Sequence, residues 1–101
     1  MKLFAWNEWV DVEIWVSEYA DNGGLAICLD EPGEGPYAVM TVNLGRVGED
    51  EAYVDVNNCP WAESFIAQYG LGEHTGKFGW SGYCIYPLYR FNTEKLMGVK
   101  K

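Results

Sequence analysis

One stretch of this 101-residue chain carries helical periodicity, and it constrains what the remainder can be. Trp61, Phe65 and Tyr69 recur every four residues, with Ala62 and Ile66 beside them. That spacing makes one apolar stripe about two turns long. Pro60 stands in the first turn, where its missing N–H would have had no partner anyway. Asn58 or Cys59 is expected at the N-cap, and Gly70 and Gly72 are expected to end the helix. A single short helix cannot enclose a core alone, so it must lie on a sheet.

The sheet is visible upstream. Val10, Val12, Ile14 and Val16 alternate with Asp11, Glu13, Trp15 and Ser17, which gives one buried and one wetter face. Asp21-Asn22-Gly23-Gly24 supplies residues that tolerate positive φ, as a tight hairpin turn requires. The strand from Leu25 to Asp30 is therefore expected to fold back antiparallel. Glu31-Pro32-Gly33-Glu34-Gly35-Pro36 is a second turn, followed by a strand from Tyr37 to Leu44. A polar loop over 45–51 and a short strand from Tyr53 to Val56 lead into the helix. After the helix, the glycines and polar residues from Glu73 to Gly82 read as a loop. Tyr83 to Phe91 reads as an edge strand, because Pro87 cannot donate to a ladder. Residues 1–9 read as an edge strand or arm, and residues 91–101 as a partly frayed tail.

The expected fold is thus one α+β domain over residues 1–101. It is an antiparallel meander sheet of four to five strands with one short helix packed on one face, in the order β-β-β-β-α-β. A chain of this length buries roughly two-thirds of its unfolded surface, enough for one core without metal or disulfides.

Thr41-Val42-Asn43-Leu44, Asp55-Val56-Asn57-Asn58-Cys59-Pro60-Trp61-Ala62, Leu71-Gly72, Thr75-Gly76 and the run from Ser81 to Tyr89 carry a resemblance. Over residues 24–96 the chain resembles a family of small bacterial and phage proteins called domain of unknown function 4313. The resemblance implies a prokaryotic, cytoplasmic setting that includes mobile elements. It implies no established activity and carries over no catalytic residue.

Charge narrows the function classes. Fifteen acids against seven bases leave a net charge of −8. Residues 1–73 hold 14 acids against Lys2 and Arg46, a net of −12, whereas residues 74–101 hold Glu94 against five bases, a net of +4. Direct nucleic-acid binding needs a basic patch, and none is present at this scale. The basic end is expected to lie against the acidic body. The three cysteines form no Cys-x-x-Cys pair, and one histidine gives little with which to build a zinc site, so no metal or cofactor is expected. The apolar run after Lys2 ends at Asn7-Glu8, too soon for a signal-peptide core, and no run approaches a membrane span. Reduced thiols in the cytoplasm are the expectation, with no membrane association.

No acid-base constellation points to catalysis. Cys59 at the helix start with His74 is the nearest approach to a nucleophile and base, but no third group orients it. Asn57 and Asn58 at the helix start, with His74, Thr75 and Ser81 in the following loop, are the candidate ligand-binding residues. Asn57 and Asn58 also have a sufficient role as turn residues. Sixteen rings on so small a body, five of them Trp, put some aromatic surface outside the core. Trp6, Trp9, Trp15 and Trp80 are the candidate partner-binding residues. The favoured function is a non-enzymatic interaction module of a bacterium, phage or mobile element. It would bind another protein through acidic and aromatic surface, with homodimer formation left open. Two alternatives stand beside it: a small-ligand binder or hydrolase at Asn57-Asn58 and the His74–Ser81 loop, and an acidic mimic of DNA that inhibits a host defence enzyme.

Overall fold

The computed structural model describes residues 1–98. They form an α+β fold in which nine strands make three antiparallel sheets and two short helices pack against them. The single meander sheet expected above is divided, and the reasons are local.

The N-terminal arm is itself a hairpin. β1 (Lys2–Ala5) pairs with β2 (Glu8–Asp11), setting Leu3 opposite Val10 and Phe4 opposite Trp9. The turn is made by Trp6 at φ 47° and Asn7 at φ 63°. Two positive φ angles suit the twist of a two-residue hairpin, but a bulky ring in the first of them is not a sequence signal for a turn. Leu3, Ala5 and Val10 face the core, while Phe4 and Trp9 face out.

The Val10–Val16 alternation holds, with Val10, Val12 and Ile14 all buried. The chain changes sheet at Val12, whose N–H and C=O bond to the carbonyl and the amino group of Met1. β3 (Glu13–Glu18), β4 (Leu25–Glu31) and β5 (Gly35–Val39) then form the expected antiparallel run, with Gly23 at φ 70° in the first connection.

The expected strand from Tyr37 to Leu44 bends at Met40. The Met40 N–H donates to the Ile27 carbonyl at 2.9 Å, and its own carbonyl accepts the Asp55 N–H at 2.7 Å. Beyond it, β6 (Thr41–Val42) pairs with β7 (Glu51–Val54) in a second sheet. The residues expected to be a loop, 73–82, are instead most of a ten-residue strand, β8 (Gly72–Ser81), paired with β9 (Cys84–Phe91). Two glycines of this strand are required by close approach, whereas Gly76 and Gly82 supply positive φ with open space around them. A Cβ at Gly72 would lie 2.7 Å from the Arg90 carbonyl oxygen, and one at Gly79 would lie 2.7 Å from the Tyr53 ring. The order is β6-β7-β9-β8, so β9 is central rather than an edge. Pro87 is tolerated there because the pairing with β7 spans only Leu88 to Arg90 and does not include Pro87.

The predicted helix is α1 (Ala62–Tyr69), which begins just after Pro60-Trp61 and has no side-chain cap. Gly70 at φ 61° ends it, with the Leu71 N–H reaching back to the Ile66 carbonyl. The tail is a correction too. Residues 93–98 are a second helix, α2 (Thr93–Gly98), started by Asn92, whose side chain accepts the Lys95 N–H at 3.0 Å. Leu96 is wholly buried, which anchors this polar segment. The rest of the expected frayed tail, residues 99–101, lies outside the described residues.

The core joins all three sheets to α1: Ile14, Ile27, Leu29, Met40, Val54 and Phe65 have almost no exposure. Each such side chain contributes about 2 kcal/mol of burial. No helix among the described residues is long and apolar enough to cross a membrane.

Candidate functional site

The turn between β7 and α1 is held by Asp55. Its two carboxylate oxygens accept the Asn58 N–H at 3.2 Å and the Asn58 side-chain amide at 2.9 Å. Asn58 is therefore a turn residue, not the helix cap, and Asn57 beside it is exposed. Cys59 is buried, and its thiol faces the Val39 carbonyl at 3.6 Å. Burial, with the Asp55 charge adding, pushes that thiol up to about 11. It is protonated at neutral pH and is no thiolate nucleophile.

His74 and Thr75 shape β8. The His74 ring packs on Phe78 and Tyr89, and its Nδ1 accepts the Gly76 N–H at 2.8 Å. The Thr75 hydroxyl donates to the Leu88 carbonyl at 2.8 Å and accepts the Lys77 N–H. Together they hold the bulge where the β8–β9 register shifts. Ser81 closes the far end of the same strand, roughly 20 Å from His74 at strand spacing. Among the described residues, no hydrogen bond joins Asn57 or Asn58 to His74, Thr75 or Ser81. The structure does not gather these five residues at one point.

The tryptophans divide cleanly. Trp61 is buried, with its indole N–H unpaired, between the rings of Trp6, Tyr37 and Phe65. Trp6, Trp9, Trp15 and Trp80 are exposed, by 64%, 61%, 37% and 65%. They belong to separate surfaces.

The first surface is the outer face of the β1–β2 hairpin. Phe4 and Trp9 pair across the strands with centroids 5.0 Å apart. Beside Trp9 runs a groove of about 570 Å³ lined also by Glu8, Asp11, Glu13, Glu31 and Pro32. The Lys2 ammonium sits 2.9 Å from Asp11, and this hydrogen bond and charge hold the Asp11 carboxyl below its ordinary range. Among the described residues, no three His, Cys, Asp or Glu side chains converge as a metal site would need. The groove carboxylates are strung along it instead.

The second surface is the β8–β9 hairpin. Phe78, Trp80, Ile85 and Pro87 share one face by register. That face is covered near its base, where the Tyr89 hydroxyl donates to Glu63 of α1 at 2.6 Å. Burial and this acceptor push the Tyr89 hydroxyl far above its usual range. Beyond the helix the face is open, leaving Phe78, Trp80 and Ile85 about half exposed or more. Gly82 at φ 60° makes the turn, and Tyr83 beside it is fully exposed. On the opposite face Gly79 lies against Tyr53 and Leu44, and Arg90 reaches Glu51 and Glu73 at 3.9 and 3.5 Å. These two pairs set Arg90 of the basic end against acidic residues, as the charge layout led one to expect. Phe4, Phe78, Tyr83 and Ile85 were not predicted as exposed. The available signal was Trp80-Ser81-Gly82-Tyr83-Cys84-Ile85, two alternating segments around a glycine turn.

A small α+β body with aromatic surface at two hairpins is the class defined by the described residues. The chain belongs to the family described as Domain of unknown function (DUF4313), whose model matches residues 13–101. The match extends the resemblance seen over residues 24–96 and leaves the β1–β2 hairpin outside it. Comparison with curated proteins and with solved structures finds no match.

Proposed function

We propose that this protein is a non-enzymatic interaction module that binds a basic segment of another protein in the groove beside its N-terminal hairpin. The observation that carries the reading is the pairing of an exposed Trp9 with carboxylates at Glu8, Asp11, Glu13 and Glu31 along one groove. Lysine or arginine stems pack on an indole face while their cations meet the carboxylates. Strung-out acids suit an extended cationic chain better than a single ion. Backbone strain falls at Trp6, in the turn of the same hairpin. A tryptophan held at φ 47° costs about 1 kcal/mol or more, and such strain collects where function keeps a residue in place.

Three free cysteines fit a reducing compartment, and with the family's prokaryotic setting they favour the cytoplasm of a bacterium or of a phage-infected cell. A basic nucleic-acid-binding surface is one partner with the required chemistry, and the acidic body would then occupy the place of DNA.

The test uses the full chain and a short lysine-rich peptide, read by tryptophan fluorescence. Binding is expected at low salt, falling steeply as ionic strength rises. Trp9→Ala is expected to weaken it roughly tenfold. No binding at low salt, or binding indifferent to Trp9→Ala, overturns the reading.

A further inference from the structure

The β8–β9 hairpin differs from the rest of the surface in charge. Residues 78–89 contain no charged side chain, in a chain whose net charge is −8. On this neutral stretch Phe78, Trp80, Ile85 and Tyr83 are exposed by 48%, 65%, 50% and 106%. Together they present on the order of 500 Å² of largely ring surface, about the size of the largest apolar patch on a typical monomer. The nearest carboxylate is Glu63 at the base of the face, already engaged by the Tyr89 hydroxyl, and an acidic partner finds only Lys77 at the margin. The surface that matches an uncharged aromatic face of this shape is the same face on another copy. Residues 78–89 themselves bring no acid to such a contact.

Two ways of meeting are open to a hairpin, by edge or by face. β8 is an outer strand, but the Thr75–Lys77 bulge and the exposed Lys77 blunt its edge against strand addition. The face carries no such guard. Two copies packed face to face would bury about 1,000 Å² in total, the size at which specific interfaces begin.

We infer that this protein forms a two-fold homodimer by packing the Phe78–Trp80–Ile85 face of its β8–β9 hairpin, with the Tyr83 turn, against the same face of a second copy. Each contact is made twice about the axis, which closes the assembly at two. The attraction is apolar and the bodies repel, so salt strengthens this association while it weakens peptide binding in the groove. The two proposals are thereby separable.

Sedimentation velocity on the full chain, over a hundredfold range of concentration at low and high salt, tests the inference. The expected result is a monomer–dimer equilibrium that tightens in high salt. Trp80→Glu is expected to raise the dissociation constant by roughly thirtyfold or more, with circular dichroism unchanged. If Trp80→Glu disturbs the fold, Tyr83→Glu at the fully exposed turn serves in its place. Trp9→Ala is expected to leave the equilibrium unchanged. A monomer throughout, a mass that grows past the dimer, a dimer untouched by the glutamate variants in an intact fold, or one lost with Trp9→Ala overturns the inference.

Discussion

The molecule carries two hairpins with aromatic outer faces, and they are built in opposite ways. β1–β2 turns through Trp6 and Asn7, with a bulky residue in a backbone region that favours glycine. β8–β9 turns through Gly82, the residue that a tight turn favours at positive φ. Around Trp9 the groove is acidic, whereas around Trp80 the hairpin has no charge. Ring content alone therefore says little about a partner. Both faces are aromatic, and the charge beside the rings is what separates a cationic segment from a second copy as the fitting occupant.

The largest effect is expected at the residue beneath the first hairpin. Trp61→Ala removes the ring on which Trp6 rests edge-on, 6.1 Å between centroids. It is expected to cost about 3 kcal/mol of stability by urea titration. Hydrogen exchange should rise in β1–β2 more than in β8–β9. Equal rises in both hairpins would show that they are not independent. Next comes Gly79→Ala, which drives a methyl group into Tyr53 and Leu44. A loss of about 2 kcal/mol is expected, with weaker self-association because the hairpin must tilt. A neutral result in the melting curve would mean that the β8–β9 face is not held where the structure puts it. The smallest effect is expected from Trp6→Gly. Relief of the φ strain offsets the lost ring contact, so stability should change by less than about 1 kcal/mol. A loss of several kcal/mol in the same titration would make Trp6 a structural residue, not one kept for binding.

Much of this fold was legible where the cause is local. The Val10–Ile14 alternation, the Asn22-Gly23 turn, the Trp61–Phe65–Tyr69 stripe and the Gly70 stop each follow from neighbours within a few residues. What stayed hidden depends on distant partners. Gly72 looks like a helix stop and Gly79 like a loop residue until Arg90 and Tyr53 are placed against them. The break at Met40 depends on Ile27 and Asp55, neither of them close in sequence. Leu96 is one of three apolar residues, with Met97 and Val99, in an otherwise polar tail, and its complete burial shows only once the fold is in place. The site divides in the same way. Trp15 was readable as exposed because it shares a strand face with Asp11 and Glu13. Phe78 and Ile85 were not, because the strand that displays Phe78 was itself unseen.

Met40 has a consequence for how this molecule comes apart. Its peptide N–H is committed to one sheet and its carbonyl to the other, with the side chain at 0% exposure between them. A single residue thus serves as a rivet through two layers, and neither layer can peel away without shearing it. Opening either sheet at this residue therefore disturbs the other, and a single unfolding transition for the two is the expected outcome in a urea titration.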